Sequence, residues 1–589
     1  MTKTGLYAIA SLDGAPIDPG DLAVLGFSDP PEPRQIVADG FAVNVVDREE
    51  AGRAGHVVKR DGMVLVLLGH LDEPADLAAL FGMDPASPQA ELALAALERF
   101  GADAPHHMLG EWSLLRWRED RGELTLLMSQ ACRDPLYFAI DRGRIAVSAE
   151  MRRLARLDWI GKAFDPNGLF LIWGKARLRR YMTEETPFRD VHRLMPGSRE
   201  VFDSAGRRTL RLAPIPALEP WRGNFDEALE AIEAVLRRIV GQHLGRHGRA
   251  LSLLSGGLDS SLIAWLASQE RHKGQALSFL TSVAPDGSGA PDEREESRMV
   301  ADHLGLPIRF LTPEKIANPY LPDARMFAHS ELPVTSPRHY LYAALYEAAR
   351  EEGAEVMLDG VYGELTVTNP VPLAGAPMSL RRYKRRYRDW KSAWKERRSW
   401  PAGLFHARLS AAALAAFPST IEHDWAAPFE SLPTVRPGAM WGIRAGASKN
   451  AMTPTSSPGG NFRHVMPFRD RRLLNLVATM PAAYMEQDGL TRAPGRLLLN
   501  GRLPDRIRLR RDGKPFSPDF MDRLRAHALP TLEHIDDFSS SGADEWIDLE
   551  WLKARLTSIS NQDSITAQEA VEVQSTAVAA AYFKWWADQ

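Results

Sequence analysis

The chain has 589 residues, more than one ordinary hydrophobic core organises, so the sequence predicts two or more domains. Its hydrophobic fraction of 44%, charged fraction of 25% and formal net charge of −4 are typical of a globular protein and argue against a membrane or a nucleic acid as partner. A single cysteine, Cys132, excludes a disulfide framework, and no apolar stretch is long enough for membrane insertion, so we expect a cytoplasmic protein.

Short apolar runs dominate the first part of the chain, residues 1–212. Val64–Leu68, Leu124–Met128 and Ile145–Ser148 predict strands, because each is apolar or alternating and is bounded by turn residues. Ala90–Phe100 predicts a helix between them. This arrangement predicts an α+β domain with antiparallel sheets.

A proline-rich linker is predicted over residues 213–224, and a second domain over residues 225–589. Asn224 and Glu227 form a capping-box pattern that predicts the start of a helix. Strands and helices then alternate, which predicts a doubly wound parallel sheet, followed by a mostly helical part that ends in Ala567–Trp586. The alternating elements are the predicted strands Ala250–Leu254, Ala276–Val283, Ile308–Leu311 and Glu355–Leu358 and the predicted helices from Ser260, Glu293–Leu304 and Tyr340–Glu351.

A glycine- and serine-rich loop joins the first of these strands to the following helix. Its glycines allow backbone N–H groups to approach a ligand, and its hydroxyls lie at a helix N-terminus, where the helix dipole favours an anion. The loop therefore predicts a phosphate-binding site, which suits the pyrophosphate part of ATP, although it lacks the Gly-Lys-Ser/Thr of a Walker P-loop. Its acid, Asp259, would repel phosphate unless a Mg²⁺ ion lay between them. The loop is Ser255-Gly256-Gly257-Leu258-Asp259-Ser260-Ser261.

A second turn rich in glycine and acids follows the predicted strand Glu355–Leu358. Because ligands of such sheets bind at the carboxyl ends of the strands, Asp359 and Glu364 are well placed for a ligand there. Glu364 is the candidate to share Mg²⁺ with Asp259, and Asp359 is the second choice. An ordinary strand–helix turn with solvated acids is the alternative interpretation of this segment alone.

Lys514 lies on a loop, Asp512–Pro518, that also contains glycine and proline, and the segment Met466–Asp470 precedes it. A lysine on such a loop can reach the negative charge that develops on an adenylate or a tetrahedral intermediate. Taken alone, Lys514 is more simply interpreted as a surface lysine.

The first loop resembles the PP-loop of the ATP pyrophosphatase superfamily, which implies cleavage of ATP between its α- and β-phosphates and formation of an acyl-adenylate. From residue 225 to 525, the three segments in this order resemble the synthetase domain of asparagine synthetase-type enzymes. Asp359–Leu365 resembles the second loop of that family, with Glu364 where the family has a metal-binding Asp. Pro467–Asp470 resembles its Pro-Phe-x-Asp segment, and Lys514 falls on its catalytic lysine.

The resemblance implies a set of site residues around ATP and Mg²⁺. Lys514 is the expected catalytic group, Glu364 and Tyr362 are the next candidates, and Asp259 and Glu364 are expected to hold the metal. Backbone near Leu253, Thr281 and Gly360 is expected on the adenine and ribose. The full set of expected nucleotide-binding residues is Leu253, Ser255, Gly256, Gly257, Asp259, Ser260, Ser261, Thr281, Asp359 and Gly360.

The first domain resembles the glutaminase domain of the same family in three segments, Leu109–Leu114, Arg133–Tyr137 and Ser148–Glu150. Glutamine-hydrolysing members use a cysteine directly after the initiator Met, where this chain has Thr2. Cys132 is internal and has no free α-amine. We therefore expect no glutamine hydrolysis, and an amine that the substrate itself brings.

Relatives that lack this cysteine include β-lactam synthetases, which close a ring within one small molecule. They also include the macrolactam synthetases of lasso peptides, which join an Asp or Glu side chain of a precursor peptide to its N-terminal amine. The segment from Arg381 to Trp400 combines many basic residues with aromatic residues at helical spacing, which favours a peptide over a small molecule. The alternative is a solvated helix whose aromatic face lies in the core. The sequence thus favours a precursor peptide as substrate, with a leader-peptide protease as a candidate companion.

Three other functions remain open from the sequence. Asparagine synthesis from free ammonia fits the same motifs. Adenylation of tRNA bases predicts cysteine pairs or an RNA-binding domain, and the chain has only Cys132. A non-enzymatic scaffold would be expected to have lost Asp259, the loop serines or Lys514, and all are present.

Overall fold

The structure is a computed structural model that describes the chain in segments. Thr2, Arg133, the segment 381–400 and Lys514 lie outside the described residues. The structure describes residues 5–28, 34–46, 54–132, 134–174, 184–211, 219–245, 247–311, 318–333, 336–369, 402, 405–417, 462–511, 513, 517–561 and 565–589.

Two antiparallel six-stranded sheets form the first domain, and the three strands predicted there are confirmed. The strands are β1 (Gly5–Ser11), β2 (Gln35–Ala38), β3 (Phe41–Val46), β4 (Ala54–Arg60), β5 (Met63–Leu71), β6 (Gly110–Arg118), β7 (Glu123–Met128), β8 (Tyr137–Asp141), β9 (Arg144–Ser148), β10 (His192–Arg193), β11 (Ser198–Asp203) and β12 (Gly206–Arg211). Neighbouring strands pair in the order β10-β8-β9-β1-β3-β2 in one sheet and β12-β11-β7-β6-β5-β4 in the other.

The two sheets pack face to face, because the side chains on the facing sides of their strands are apolar and buried together. Buried side chains such as Leu6 and Val43 of the first sheet share a core with Leu115 and Leu126 of the second. The predicted helix is confirmed as Gln89–Phe100 and covers the outer face of the second sheet.

A five-stranded parallel sheet forms the centre of the second domain, which confirms the predicted fold class. Its strands are β13 (Arg249–Leu253), β14 (Ala276–Ser282), β15 (Ile308–Leu311), β16 (Val356–Leu358) and β17 (Arg463–Val465). They are hydrogen-bonded in the order β15-β14-β13-β16-β17, and every pair is parallel. A short antiparallel hairpin follows, with β18 (Glu486–Gln487) and β19 (Leu490–Thr491).

Helices cover both faces of the parallel sheet, as in a doubly wound fold. The helices Phe225–Leu244, Leu258–Glu270 and Arg471–Thr479 share one core with one face of the sheet. His339–Glu351 packs on the other face. Within the described residues, the other α-helices are Pro19–Val24, Pro74–Phe81, Ala104–His107, Met151–Leu154, Pro166–Trp173, Arg294–Leu304, Ala324–Ser330, Ala411–Ala415, Ala493–Leu498, Asp505–Arg508, Phe520–Leu532, Ile535–Ser540, Leu549–Ser560 and Ala567–Ala587.

The ends of the helices agree with the sequence in most places. The capping box is present, since Asn224 Oδ1 accepts from the Glu227 N–H and Glu227 Oε2 accepts from the Asn224 N–H. The helix predicted from Ser260 begins earlier, at Leu258, because Gly257 takes the extended N-cap conformation directly after the turn.

The two domains share buried surface. Residues on the outer face of the first sheet, including Tyr7 and Ile9, belong to one core with Tyr582 and Phe583 of the C-terminal helix. Across the part of the chain that the structure describes, no helix has both the length and the apolar composition needed to cross a membrane.

Candidate functional site

The strand order of the parallel sheet reverses between β13 and β16. In open α/β sheets, ligands bind outside the carboxyl ends of the strands at such a switch point. The Ser255–Ser261 loop follows β13 and the Asp359–Glu364 turn follows β16, so both sequence motifs lie at the place where this fold type binds ligands.

Glycine and serine residues shape the first loop. Gly256 adopts a φ of +66°, and a Cβ added there would lie 2.4 Å from Glu296 Cβ, so only glycine fits this position. The hydroxyls of Ser255 and Ser260 are 2.9 Å apart, and the Ser255 N–H donates to Ser260 Oγ at 3.1 Å. The Gly257 N–H donates to Ser255 Oγ at 3.2 Å. The two serines thus hold the turn in shape.

The helix that begins at Leu258 has no side chain capping its N-terminus, because its N-cap is Gly257. Its first intrahelical bond runs from the Ser261 N–H to Gly257 O, at 3.0 Å, so the earlier N–H groups have no partner within the helix. Such N–H groups and the positive end of the helix dipole attract anions. This geometry suits the phosphate contact that the sequence predicts.

Asp259 lies on the first turn of that helix with its carboxyl group buried. Burial raises the pKa of Asp259 to about 6; the nearby Glu364 carboxylate also raises it, while Thr368 and Arg492 oppose the shift. Asp259 Oδ1 has no hydrogen-bond partner among the described residues. A buried carboxylate oxygen without a partner fits a divalent cation, which would favour the ionised acid.

Two glycines of the second turn contact the first loop directly. A Cβ added at Gly360 would lie 2.7 Å from both the backbone nitrogen and Cα of Ser260, and one at Gly363 would lie 2.5 Å from Asp259 Cγ. Side chains at these positions would force the two loops apart. The two loops therefore lie side by side, and the binding roles assigned to their residues stay predictions.

The Asp359 carboxylate is engaged by groups of the protein. Oδ2 accepts from the Tyr342 hydroxyl at 3.3 Å and lies 3.1 Å from His464 Nε2, and Oδ1 accepts from the Val361 N–H at 3.1 Å. The Tyr346 hydroxyl lies 3.1 Å from His464 Nδ1. This network ties the ends of β16 and β17 to the helix that carries the tyrosines, so the acid has a positioning role whether or not it also contacts a nucleotide, which stays a prediction.

Glu364 is exposed and close enough to Asp259 to influence its pKa. The described residues contain no group of three or more His, Cys, Asp or Glu side chains able to hold a metal by themselves. Mg²⁺ is commonly held by one or two carboxylates and takes its other ligands from phosphates and water. The pair therefore fits Mg²⁺ that binds together with ATP, and its assignment as the metal ligands stays a prediction.

Tyr362, which lies between Asp359 and Glu364 in the sequence, has an unusual backbone conformation. Its φ is +76°, a region that side chains other than glycine rarely occupy. The guanidinium carbon of Arg469 lies 5.3 Å from the centroid of its ring. The segment Pro467–Asp470 therefore meets the second turn at Tyr362. Strain of this kind is often found at functional sites.

The remaining described residues of the predicted site are buried or hydrogen-bonded within the protein. Leu253 and Thr281 lie at the ends of β13 and β14 and are largely buried, so the contact expected of them is through the backbone. Ser261 is fully buried and its hydroxyl has no partner among the described residues, whereas the sequence pattern predicts a hydroxyl facing the ligand. Asp470 caps the helix that starts at Arg471, because its carboxylate accepts from the Arg472 N–H.

Arg510 is one of the residues that contact the first loop without having been predicted from the sequence. Arg510 donates from Nη1 to Gly256 O at 3.4 Å, although 254 residues separate them. The available signal was the basic run from Arg508 to Arg511, which resembles an ordinary solvated stretch.

The sequence matches two protein families. Residues 231–445 match the asparagine synthase family, and residues 43–212 match the glutamine amidotransferase domain family. The two matches fall on the second and the first domain described above.

Three characterised proteins show distant similarity. "Amidase chry2" of Gibberella zeae is 24% identical over 344 residues, which cover 54% of this chain and 49% of that protein. "Amidase chyE" of Penicillium rubens is 24% identical over 289 residues, covering 46% and 41%. Carboxyethyl-arginine beta-lactam-synthase of Streptomyces clavuligerus is 28% identical over 310 residues, covering 51% and 56%. The chain thus spans about half the length of the curated relatives that it matches.

Two solved structures illustrate how distant the structural matches are. Glutamine phosphoribosylpyrophosphate amidotransferase from B. subtilis has a TM-score of 0.23 at 11% identity, over 62% of this chain and 71% of that one. A glutamine aminotransferase class-II domain protein from Silicibacter pomeroyi has a TM-score of 0.21 at 14% identity, over 36% and 100%. Scores of this size do not establish a common fold. The two family matches divide the chain as the two domains do: the glutamine amidotransferase match lies in the first domain and the asparagine synthase match lies in the second.

Proposed function

We propose that this protein is an ATP-dependent, AMP-forming amide synthetase. The observation that carries the proposal is the contact between two loops at the switch point of the parallel sheet. An uncapped helix N-terminus, which suits phosphate, lies directly beside the buried Asp259 carboxyl group, which suits Mg²⁺. Gly363 packs on that carboxyl group from the second loop. The match to the asparagine synthase family over residues 231–445 supports the same chemistry.

The proposed reaction has two steps. A carboxylate oxygen of the substrate attacks the α-phosphorus of ATP, the bond to the bridging oxygen breaks, and pyrophosphate leaves. An amine nitrogen then attacks the carbonyl carbon, the bond to AMP breaks, and the amine proton passes to a base or to solvent. Mg²⁺ held by Asp259 and Glu364 would neutralise phosphate charge, and Lys514 would stabilise the charge that develops in both transition states.

The amine is proposed to belong to the substrate, because Thr2 stands where glutamine-hydrolysing relatives have their cysteine. We propose as substrate a precursor peptide, whose Asp or Glu side chain is joined to the N-terminal amine in a macrolactam, as in lasso peptide cyclases. The basic and aromatic segment 381–400 is the sequence feature that supports a peptide. A companion leader-peptide protease and a cytoplasmic location belong to the same proposal.

A second candidate is ring closure within one small molecule. The observation that favours it is the similarity to carboxyethyl-arginine beta-lactam-synthase, 28% identical over 310 residues. The two candidates differ in the size of the molecule that must reach the site.

The test is to incubate the purified protein with MgATP and two panels of substrates, one of peptides with an internal Asp or Glu and one of small β-amino acids. AMP, pyrophosphate and a product lighter by one water are expected with the peptides. Products from the small molecules alone would move the assignment to the second candidate. Absence of AMP and of any ring-closed product from both panels would count against the synthetase proposal itself.

A further inference from the structure

We propose that Arg510 binds the phosphoanhydride of the nucleotide, either in ATP or in released pyrophosphate, at the Ser255–Ser261 loop. This inference rests on the proposed function for the identity of the ligand. The assignment to Arg510 itself rests on the contacts of its guanidinium group.

The Arg510 side chain is only 8% exposed, yet its hydrogen bonds are incomplete. Nη1 donates to Gly256 O at 3.4 Å, at the start of the nucleotide loop. Nη2 is buried and has no hydrogen-bond partner in the part of the chain that the structure describes. Glu293 Oε1 lies 3.9 Å from Nη2, which is beyond hydrogen-bond distance. A buried guanidinium nitrogen without an acceptor is unfavourable, and a phosphate oxygen would supply one.

The backbone of Arg510 is held in place by a second buried arginine. Arg496 donates from Nε to Thr491 O at 2.9 Å and from Nη2 to Arg510 O at 2.9 Å, and its Nη1 donates to Arg508 O. Every nitrogen of the Arg496 guanidinium is therefore used to fix this part of the chain. A group fixed before its ligand arrives loses little conformational freedom on binding.

Two features that favour an anion therefore meet at Gly256. Gly257, the residue after Gly256, is the N-cap of the helix that starts at Leu258, and Arg510 contacts the Gly256 carbonyl. Arginine suits this role because its planar fork can keep one nitrogen on the carbonyl while another nitrogen contacts phosphate. Lys514, four residues further along the sequence, keeps its separate proposed role in the transition states.

The experiment titrates the full-length protein, in the presence of Mg²⁺, with inorganic pyrophosphate, ATP and AMP, and measures each Kd by calorimetry. The variants are Arg510→Gln and Arg510→Lys. Arg506→Gln is the matched control, because Arg506 carries the same charge on the neighbouring turn but is 55% exposed and pairs with Glu295 at 2.6 Å. Melting temperatures of all variants without ligand report whether the fold is intact.

Arg510→Gln is expected to weaken binding of pyrophosphate and ATP by about 10- to 100-fold, the range for loss of charge-assisted hydrogen bonds, while AMP binds as before. Arg510→Lys is expected to recover only part of that loss, and Arg506→Gln to bind all three ligands as the parent does. Parental affinity of Arg510→Gln for pyrophosphate would overturn the inference, as would equal weakening for pyrophosphate and AMP, since that pattern indicates a purely structural role. If the parent protein itself binds neither ATP nor pyrophosphate, the proposed function fails first.

Discussion

Gly363 packs directly on the carboxyl group of Asp259, so that a methyl group added at Gly363 would lie 2.5 Å from Asp259 Cγ. The two residues come from loops that follow different strands of the parallel sheet, β13 and β16. Real Cβ atoms do not approach other atoms this closely, so any side chain at Gly363 must displace either the loop or the acid. The position of the proposed metal ligand therefore depends on the absence of a side chain on the neighbouring loop.

Gly363→Ala is expected to reduce ATP-dependent AMP formation by about 10²-fold, because a displacement of the order of 1 Å in a catalytic site has effects of that size. Gly241→Ala is the control: Gly241 lies in the helix Phe225–Leu244, and an added Cβ there would meet its nearest atom, Glu270 Oε2, at an ordinary 3.4 Å. The control should be as active as the parent and at least as stable. Parental activity of Gly363→Ala would show that the Asp259 carboxylate does not need its present position.

Asp259→Asn is expected to stabilise the ligand-free protein near neutral pH while abolishing AMP formation. The pKa of Asp259 is raised from its ordinary 3.8 to about 6 in the folded protein, so folding favours the protonated acid. That stabilisation is complete below pH 3.8 and is lost as the pH rises through 6, where the buried carboxylate ionises. Asparagine stays neutral, so the variant should melt at a higher temperature than the parent at pH 7.5, and the difference should shrink toward pH 4. A lower melting temperature of the variant at pH 7.5 would contradict this account.

Lys514→Ala is expected to bind ATP almost as the parent does but to lose product formation by about 10²–10³-fold, because one donor to developing negative charge is removed. Lys514→Arg should recover little activity, since a broad guanidinium fork does not replace a compact ammonium. ATP affinity, pyrophosphate exchange and cyclised product are measured for each variant. Product at the parental rate from Lys514→Ala would move the catalytic role to Tyr362 or Glu364.

The first domain is expected to release no glutamate from glutamine, because the family resemblance places Thr2 at the position of the nucleophilic cysteine. Thr2→Ala should therefore leave ligation unchanged. Glutamate release is measured in the presence and absence of ATP. Steady release that disappears in Thr2→Ala would show that the threonine hydroxyl is a working nucleophile.

Features encoded by neighbouring residues were predictable from the sequence. The strand β7, the helix Gln89–Phe100 and the capping box of Asn224 and Glu227 follow from periodicity and local hydrogen-bonding pattern, and all are confirmed. The loop after β13 and the turn after β16 were expected near the ligand edge of the sheet, because parallel strands present their carboxyl ends together. The helix after the first loop starts two residues earlier than predicted, at Leu258, and several other predicted ends differ by one residue.

Features that depend on distant residues were not predictable. Asp359 is the second choice, after Glu364, to share Mg²⁺ with Asp259, and the sequence does not show that its carboxylate meets Tyr342 and His464, the histidine being 105 residues away. Arg510 meets Gly256 across 254 residues. Nothing in the local pattern of an acid or an arginine reveals which partner the fold brings to it, so these contacts appear only when the strands and helices are assembled.

ATP labelled at the α-phosphate, incubated with the peptide and small-molecule panels, shows which bond of the nucleotide the protein cleaves. We expect labelled AMP, unlabelled pyrophosphate and an amide product in equal amounts from the parent protein, and none of them from Asp259→Ala that remains folded. Formation of labelled ADP, or AMP release by folded Asp259→Ala at the parental rate, would contradict the proposed reaction.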